Sequence, residues 1–223
     1  MSPPVRNELP PGHRRNAVWR SIQFVLQNVF TIWLQYRVRG LNNLPEGAAL
    51  LVANHQSFLD PLLVGLSLHR PVSYLARDSL FKVPVIGWIL RKTYVLPIRR
   101  DAAGTESLRI SLRRLEEGFL VGVFPEGTRT RDGHLGPLKP GFVALVRRSR
   151  VPLVPVAISG AYEALPRGAF FLRPRAVRVV FGKPISPDEL EAFQGRGSEV
   201  ALVRLVTDRL NEALNEADAW RKM

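Results

Sequence analysis

The sequence predicts an α/β fold: a single domain with a largely parallel central sheet flanked by helices, and an N-terminal membrane-associated helical motif. Three observations carry that prediction. Short apolar runs of strand length alternate along the chain with amphipathic stretches of helical period. Polar and charged residues cluster just after several of those runs, where open α/β sheets build their sites. A chain of 223 residues, 46% of them hydrophobic, supplies one core of ordinary size. The expected division is a disordered tail over residues 1–16, a membrane-interface helical motif over 17–37 and the main domain over 38–223.

Residues 1–12 hold four prolines and few apolar side chains, too little to offset the entropy of ordering. They lack the basic start and apolar core of a secretory signal. Residues 18–36 are of another character. Val18, Trp19, Ile22, Phe24, Val25, Leu26, Val29, Phe30, Ile32, Trp33, Leu34 and Tyr36 cover well over half of a helix circumference, interrupted by Arg20, Gln23, Gln27, Asn28 and Gln35. The stretch is too polar to span a bilayer and too apolar for a plain surface helix. It predicts a helix, or two short ones, lying in the membrane interface. Trp19, Trp33 and Tyr36 sit near its ends, where amphipathic rings favour the headgroup zone, and arginines flank it on both sides. The alternative is a helix packed on the protein's own core.

Residues 37–47 read as a strand end and a turn, 48–53 as a buried strand and 61–68 as a helix with Pro61 in its first turn. A second strand follows over 72–76. Residues 81–90, with Pro84 and Gly87 inside an apolar run, suit a helix entered by turns or another membrane-facing patch. A third strand covers 95–98. Residues 105–118 form an amphipathic helix closed by Gly118. A strand over 119–124 and a short basic helix over 142–148 come next. The strand over 151–158 contains Pro152 and Pro155, which predict an edge or strand-end role. The last strand covers 176–181. A helical region from Ser186 breaks at the glycines of 195–197 and resumes over 199–219, with Val200, Val203, Val206, Leu210 and Leu214 toward the core.

Composition removes several function classes. With no cysteine, disulfides, thiolate catalysis and Cys-based metal sites are excluded. No internal repeat, G-x-G-x-x-G or P-loop pattern occurs. The net charge of +13 points to anionic partners: a membrane surface, a phosphorylated substrate or nucleic acid. No recognition-helix, RNA-recognition or zinc-finger pattern supports the last. A non-catalytic basic protein that binds anionic membranes is the other non-enzymatic reading.

The candidate chemistry starts at Asn54-His55-Gln56-Ser57-Phe58-Leu59-Asp60. On one continuous helix, five residues would turn the His and Asp side chains apart by roughly 140°. They meet only where the chain changes course, and Ser57-x-x-Asp60 before an apolar run resembles a capping box. His55 then lies in a loop and Asp60 at a helix start, free to point back. An imidazole held by a carboxylate is the usual base for a hydroxyl proton. Arg99 to Asp101 and Glu126-Gly127-Thr128-Arg129 follow other strands. Arg suits phosphate through paired hydrogen bonds, and Gly127 lets backbone approach an anion. Lys139, and Arg77 with Lys82, are further basic candidates.

These blocks resemble the lysophosphatidic acid acyltransferase family, the glycerophospholipid acyltransferases with an H-x-x-x-x-D motif. Residues 54–60 match its N-H-x-S-x-x-D block, and Phe124-Pro125-Glu126-Gly127-Thr128-Arg129 its F-P-E-G-T-R block. Residues 151–158 resemble its V-P-x-V-P-V block, and 95–100 the block ending in a phosphate-binding Arg. There the family commonly has Asp-Arg and this chain has Arg99-Arg100, so either arginine is a candidate. The resemblance implies that residues 38–223 form the acyltransferase catalytic domain. His55 is implied as general base and Asp60 as its orienting carboxylate. Arg100 or Arg99, Glu126, Gly127, Thr128 and Arg129 are implied to hold the acceptor phosphate, and Lys139 is a further substrate-binding candidate from its own charge. The implied reaction moves an acyl group from acyl-CoA or acyl carrier protein to the sn-2 hydroxyl of 1-acylglycerol 3-phosphate. Glycerol 3-phosphate or an aminolipid lysolipid are alternative acceptors. No cofactor is implied, acyl-CoA or acyl carrier protein being a co-substrate. The expected partners are a lysophospholipid, the acyl donor and an anionic membrane surface, with no nucleic acid, at the cytoplasmic face of the cell membrane.

Overall fold

The computed structural model describes residues 16–98 and 104–223. Arg99, Arg100 and nearly all of the expected N-terminal tail lie outside the described residues. Asn16, assigned to that tail, is instead the N-cap of the first helix. Its Oδ1 accepts the Trp19 N–H at 2.7 Å and its Nδ2 donates to the Lys92 carbonyl at 2.7 Å. A cap of this kind contributes about 1 kcal/mol.

Helix α1 (Ala17–Trp33) leads to β1 (Arg37–Arg39), β2 (Ala49–Ala53), α2 (Asp60–Gly65), β3 (Val72–Arg77), α3 (Pro84–Lys92), β4 (Val95–Ile98), α4 (Thr105–Glu116) and β5 (Leu120–Val123). Then come α5 (Val143–Ser149), β6 (Leu153–Ser159), α6 (Ala161–Ala164), β7 (Arg178–Phe181), α7 (Pro187–Glu191) and α8 (Glu199–Lys222). The seven strands form one sheet in the order β1-β7-β6-β2-β5-β3-β4. From β6 to β4 all neighbours are parallel; β7 runs antiparallel to β6, and β1 pairs parallel with β7. The expected largely parallel sheet is therefore found, with a reversed margin. Every residue of β2 and β6 is buried, as their unbroken apolar runs require.

β6 departs from the sequence-based reading. Its prolines predict an edge, yet it lies between β7 and β2. The Leu153 N–H points to the Ile185 carbonyl, so alternation turns the Pro155 nitrogen to that same side. There β7 has already ended at Phe181, and only the Gly182 N–H reaches back to the Pro155 carbonyl. The missing donor falls where the ladder needs none. The final helix also differs in phase. Its buried stripe is Leu202, Val206, Leu210, Ala213, Ala217 and Trp220, whereas Val200 is exposed.

α1 does two things at once. Trp19, Gln23 and Phe30 are buried against the domain. The Gln23 amide donates to the carbonyls of Gly65, Leu66 and Leu68 at 3.0, 3.3 and 2.9 Å, satisfying groups that the end of α2 leaves open. Its other face exposes Phe24, Val25, Val29, Ile32 and Trp33. Among the described residues no helix is long and apolar enough to cross a membrane.

Candidate active site

β2 stops at Ala53, and the Asn54 side chain takes over its pairing. Its Nδ2 donates to the Ile158 carbonyl at 2.9 Å and its Oδ1 accepts the Ile158 N–H at 2.7 Å. The chain leaves the sheet there while still anchored to β6, and His55 follows immediately. The turn after β5 grips both backbone groups of His55. Its N–H donates to Glu126 Oε1 at 2.7 Å, and its carbonyl accepts the Thr130 N–H at 2.8 Å. The two sequence blocks are thus bound to each other through the histidine's own backbone.

His55 Nδ1 and Asp60 Oδ2 are 2.7 Å apart. The same oxygen accepts the N–H groups of Gln56 at 2.6 Å and Ser57 at 2.7 Å. Only half of the capping-box expectation is met. Asp60 reaches back to the Ser57 N–H, but Ser57 Oγ donates to the Leu165 carbonyl at 2.8 Å and accepts from the Leu59 N–H at 3.3 Å. The helix N-cap is Leu59. Asp60 is fully buried while the imidazole remains partly open, and His55 Nε2 makes no hydrogen bond among the described residues. Burial pushes the Asp60 carboxyl above the usual range, and the imidazole and the two backbone N–H groups push it back.

The imidazole is also wedged. Phe124 stacks on it with centroids 4.2 Å apart and planes 21° apart, and Tyr74 stacks behind Phe124 at 5.8 Å. Gly122 makes room for that column, since a Cβ there would overlap the Tyr74 ring. A ring fixed by a carboxylate at one nitrogen and an aromatic face has little rotational freedom, which is what a positioned base requires.

Glu126, expected to contact substrate, is buried and has both oxygens occupied: Oε1 by His55 N–H, Oε2 by Gly136 N–H at 2.9 Å. Gly127 closes the turn onto the Phe124 carbonyl at 3.0 Å with a φ of 70°, a conformation that favours glycine. A Cβ at Gly127 would lie 3.0 Å from Lys139 Nζ, so the predicted Lys139 does join the turn. The side chains of Thr128, Arg129 and Lys139 make no hydrogen bond or ion pair among the described residues. Arg77 ends β3 at the same edge of the sheet, with Lys82 in the turn beyond it. Sequence reasoning missed Thr130 and gave no role to Asn54 or Phe124, although both stand in the quoted blocks. Asn54 and Phe124 are the first residues of the two motifs, but their partners are set by the sheet. No cluster of metal-ligating side chains occurs among the described residues. An open groove of about 910 Å³ beside α1, touching Arg20, Phe24, Arg37 and His69, is lined by none of the predicted site residues.

A buried carboxylate bonded to a partly open imidazole lies at the carboxyl edge of a mostly parallel sheet, near cations with no partner among the described residues, an arrangement compatible with activating a hydroxyl near an anion. The chain belongs to the Acyltransferase family, whose profile matches residues 35–159, more than half of its length. It is 36% identical over 153 residues to the chloroplastic 1-acyl-sn-glycerol-3-phosphate acyltransferase BAT2 of Brassica napus, covering 66% of this chain and 44% of that relative. The chain thus spans under half of the length of that protein. With the 1-acyl-sn-glycerol-3-phosphate acyltransferase of Bacillus subtilis the identity is 28% over 184 residues, covering 82% of this chain and 89% of the other. The crystal structure of the 1-acyl-sn-glycerophosphate acyltransferase PlsC from Thermotoga maritima superimposes with a TM-score of 0.75 at 28% identity, covering 90% of this chain and 79% of that one.

Proposed function

We propose that this chain transfers a fatty acyl group from acyl-CoA or acyl carrier protein to the sn-2 hydroxyl of 1-acylglycerol 3-phosphate, giving phosphatidic acid. The observation that carries the reading is the 2.7 Å contact between His55 Nδ1 and buried Asp60, which leaves Nε2 without a partner among the described residues. With Nδ1–H donated to Asp60, Nε2 presents its lone pair and takes the hydroxyl proton. The hydroxyl oxygen forms its bond to the thioester carbonyl carbon, the carbon–sulfur bond breaks, and the imidazolium returns a proton to the leaving thiolate. Asp60 holds the tautomer and offsets the positive charge that His55 acquires.

Thr128, Arg129 and Lys139 hold the acceptor phosphate in this reading, with Arg99 or Arg100 as a further candidate. Glu126 serves differently, by fixing the backbone of His55. The apolar surface of Phe58, Val83, Val85 and Trp88 is the place for acyl chain. The exposed apolar face of α1 lies in the interface of an anionic membrane, at its cytoplasmic face, with residues 38–223 as the catalytic domain.

The test is acyl transfer from oleoyl-CoA, and from an acyl carrier protein thioester, to lysophosphatidic acid in detergent micelles. Wild type is expected to form phosphatidic acid and His55→Ala to fall by at least ~10²–10⁴-fold. Equal turnover by both would remove His55 from the chemistry. Product from glycerol 3-phosphate but not from lysophosphatidic acid would reassign the acceptor.

A further inference from the structure

Between α6 and β7 the chain runs through residues 165–177 without helix or strand. Phe170 is 95% exposed and Phe171 85%, while Phe30, Phe119 and Phe181 in the same chain are each 3% or less. Adjacent phenyl rings left in water forgo the burial that makes aromatic side chains stabilising. The segment around them is nevertheless pinned. The Leu165 carbonyl accepts from Ser57 Oγ at 2.8 Å, the Arg173 N–H donates to the Ala164 carbonyl at 2.8 Å, and the Leu172 carbonyl accepts from Trp33 Nε1 at 3.1 Å. Leu172 packs against the core. The anchored loop therefore holds its two phenylalanines outward.

Three cations accompany them. Arg167, Arg173 and Arg175 are exposed, and none is in an ion pair among the described residues. An apolar pair bordered by unpaired guanidinium groups matches the boundary of an anionic bilayer, where acyl chains lie beneath phosphates. The position fits as well. Through Trp33 the loop joins the end of α1 that exposes Ile32, and through Ser57 it joins the segment carrying His55.

We infer that residues 165–177 are a second lipid-inserting element, with Phe170 and Phe171 entering the acyl boundary and the three arginines pairing with lipid phosphates. The inference rests on the membrane reading of α1 and deepens it. A single interfacial helix leaves the domain free to roll about the helix axis. A second contact off that axis removes the rolling and keeps the 54–60 segment turned to the surface that holds the acceptor.

The chain has no cysteine, so Phe171→Cys and Ile32→Cys each give one attachment point for an environment-sensitive fluorophore. The probe is a vesicle of phosphatidylcholine with phosphatidylglycerol. Both labels are expected to shift to the blue and to be quenched by a lipid-borne quencher. Phe170→Ser/Phe171→Ser is expected to weaken partition roughly tenfold or more, with its circular dichroism unchanged. A response at position 32 with none at 171 overturns the loop element and leaves the α1 reading intact. No response at either position overturns both. A shift at 171 that grows with protein concentration without vesicles makes the face a contact between copies. A shift with acidic acyl carrier protein but not with vesicles makes it a protein-docking face, and each of these results overturns the inference.

Discussion

The turn that follows β5 has two halves that behave oppositely. In the first, Glu126 is buried and both of its oxygens are taken by backbone donors, one of them the N–H of His55. In the second, Thr128 is exposed and Arg129 half-buried, next in the chain to the Gly127 that Lys139 approaches, with no partner among the described residues. A carboxylate already accepting two N–H bonds has little left for a ligand and repels a phosphate. A half-buried guanidinium with no partner among the described residues is the reverse. Under the proposed function Glu126 and Arg129, charged residues three positions apart, divide between holding the base and awaiting the substrate, and their neighbours decide which does which.

The largest break in that comparison comes from the base itself. Asp60→Asn keeps the shape, and the Gln56 and Ser57 N–H groups hold its carbonyl toward His55, but it removes the charge that stabilises the imidazolium. Turnover is expected to fall by about 10²–10⁴-fold, with the acceptor KM nearly unchanged. A change confined to KM would move Asp60 out of the base's support. On the other half of the turn, Arg129→Ala removes donors that no described residue uses. A hydrogen bond to a charged group contributes about 1.5–3 kcal/mol, so the acceptor KM is expected to rise roughly 10- to 100-fold with the donor KM little affected. An effect on the donor alone would reverse the assignment.

The two halves were not equally legible in the sequence. The alternation of strands and helices gave the sheet, because its central strands are short unbroken apolar runs such as 49–53. The His55–Asp60 pair was legible too, since the forbidden helical geometry demands a bend and Pro61 supplies the restart. What remained hidden depends on long-range placement. Glu126 and Arg129 look alike as charges after a strand, and only the proximity of Gly136 and the His55 backbone separates them. Asn54 binding to Ile158, 104 residues away, is equally invisible along the chain. Pro155 misled because its meaning depends on where the neighbouring strand β7 stops.

The finest test of the comparison is the titration of Glu126. Burial raises its carboxyl above the ordinary value, against the opposing pull of the His55 and Gly136 N–H groups. A carboxyl raised on folding ionises first in the unfolded chain. Stability from it is therefore fully present below the ordinary carboxylate range, around pH 4, and is lost as pH rises through the folded value. Glu126→Gln has nothing to titrate there, and its amide leaves either His55 or Gly136 N–H without an acceptor. Turnover is expected to fall several-fold through the loosened His55 backbone. The unfolding midpoint of wild type relative to the variant is expected to be greatest in acid and to shrink toward neutral pH. The measurement is thermal unfolding of both proteins across that range. A margin that grew with pH would mean that the two N–H bonds outweigh burial, making Glu126 an anchor strongest when charged.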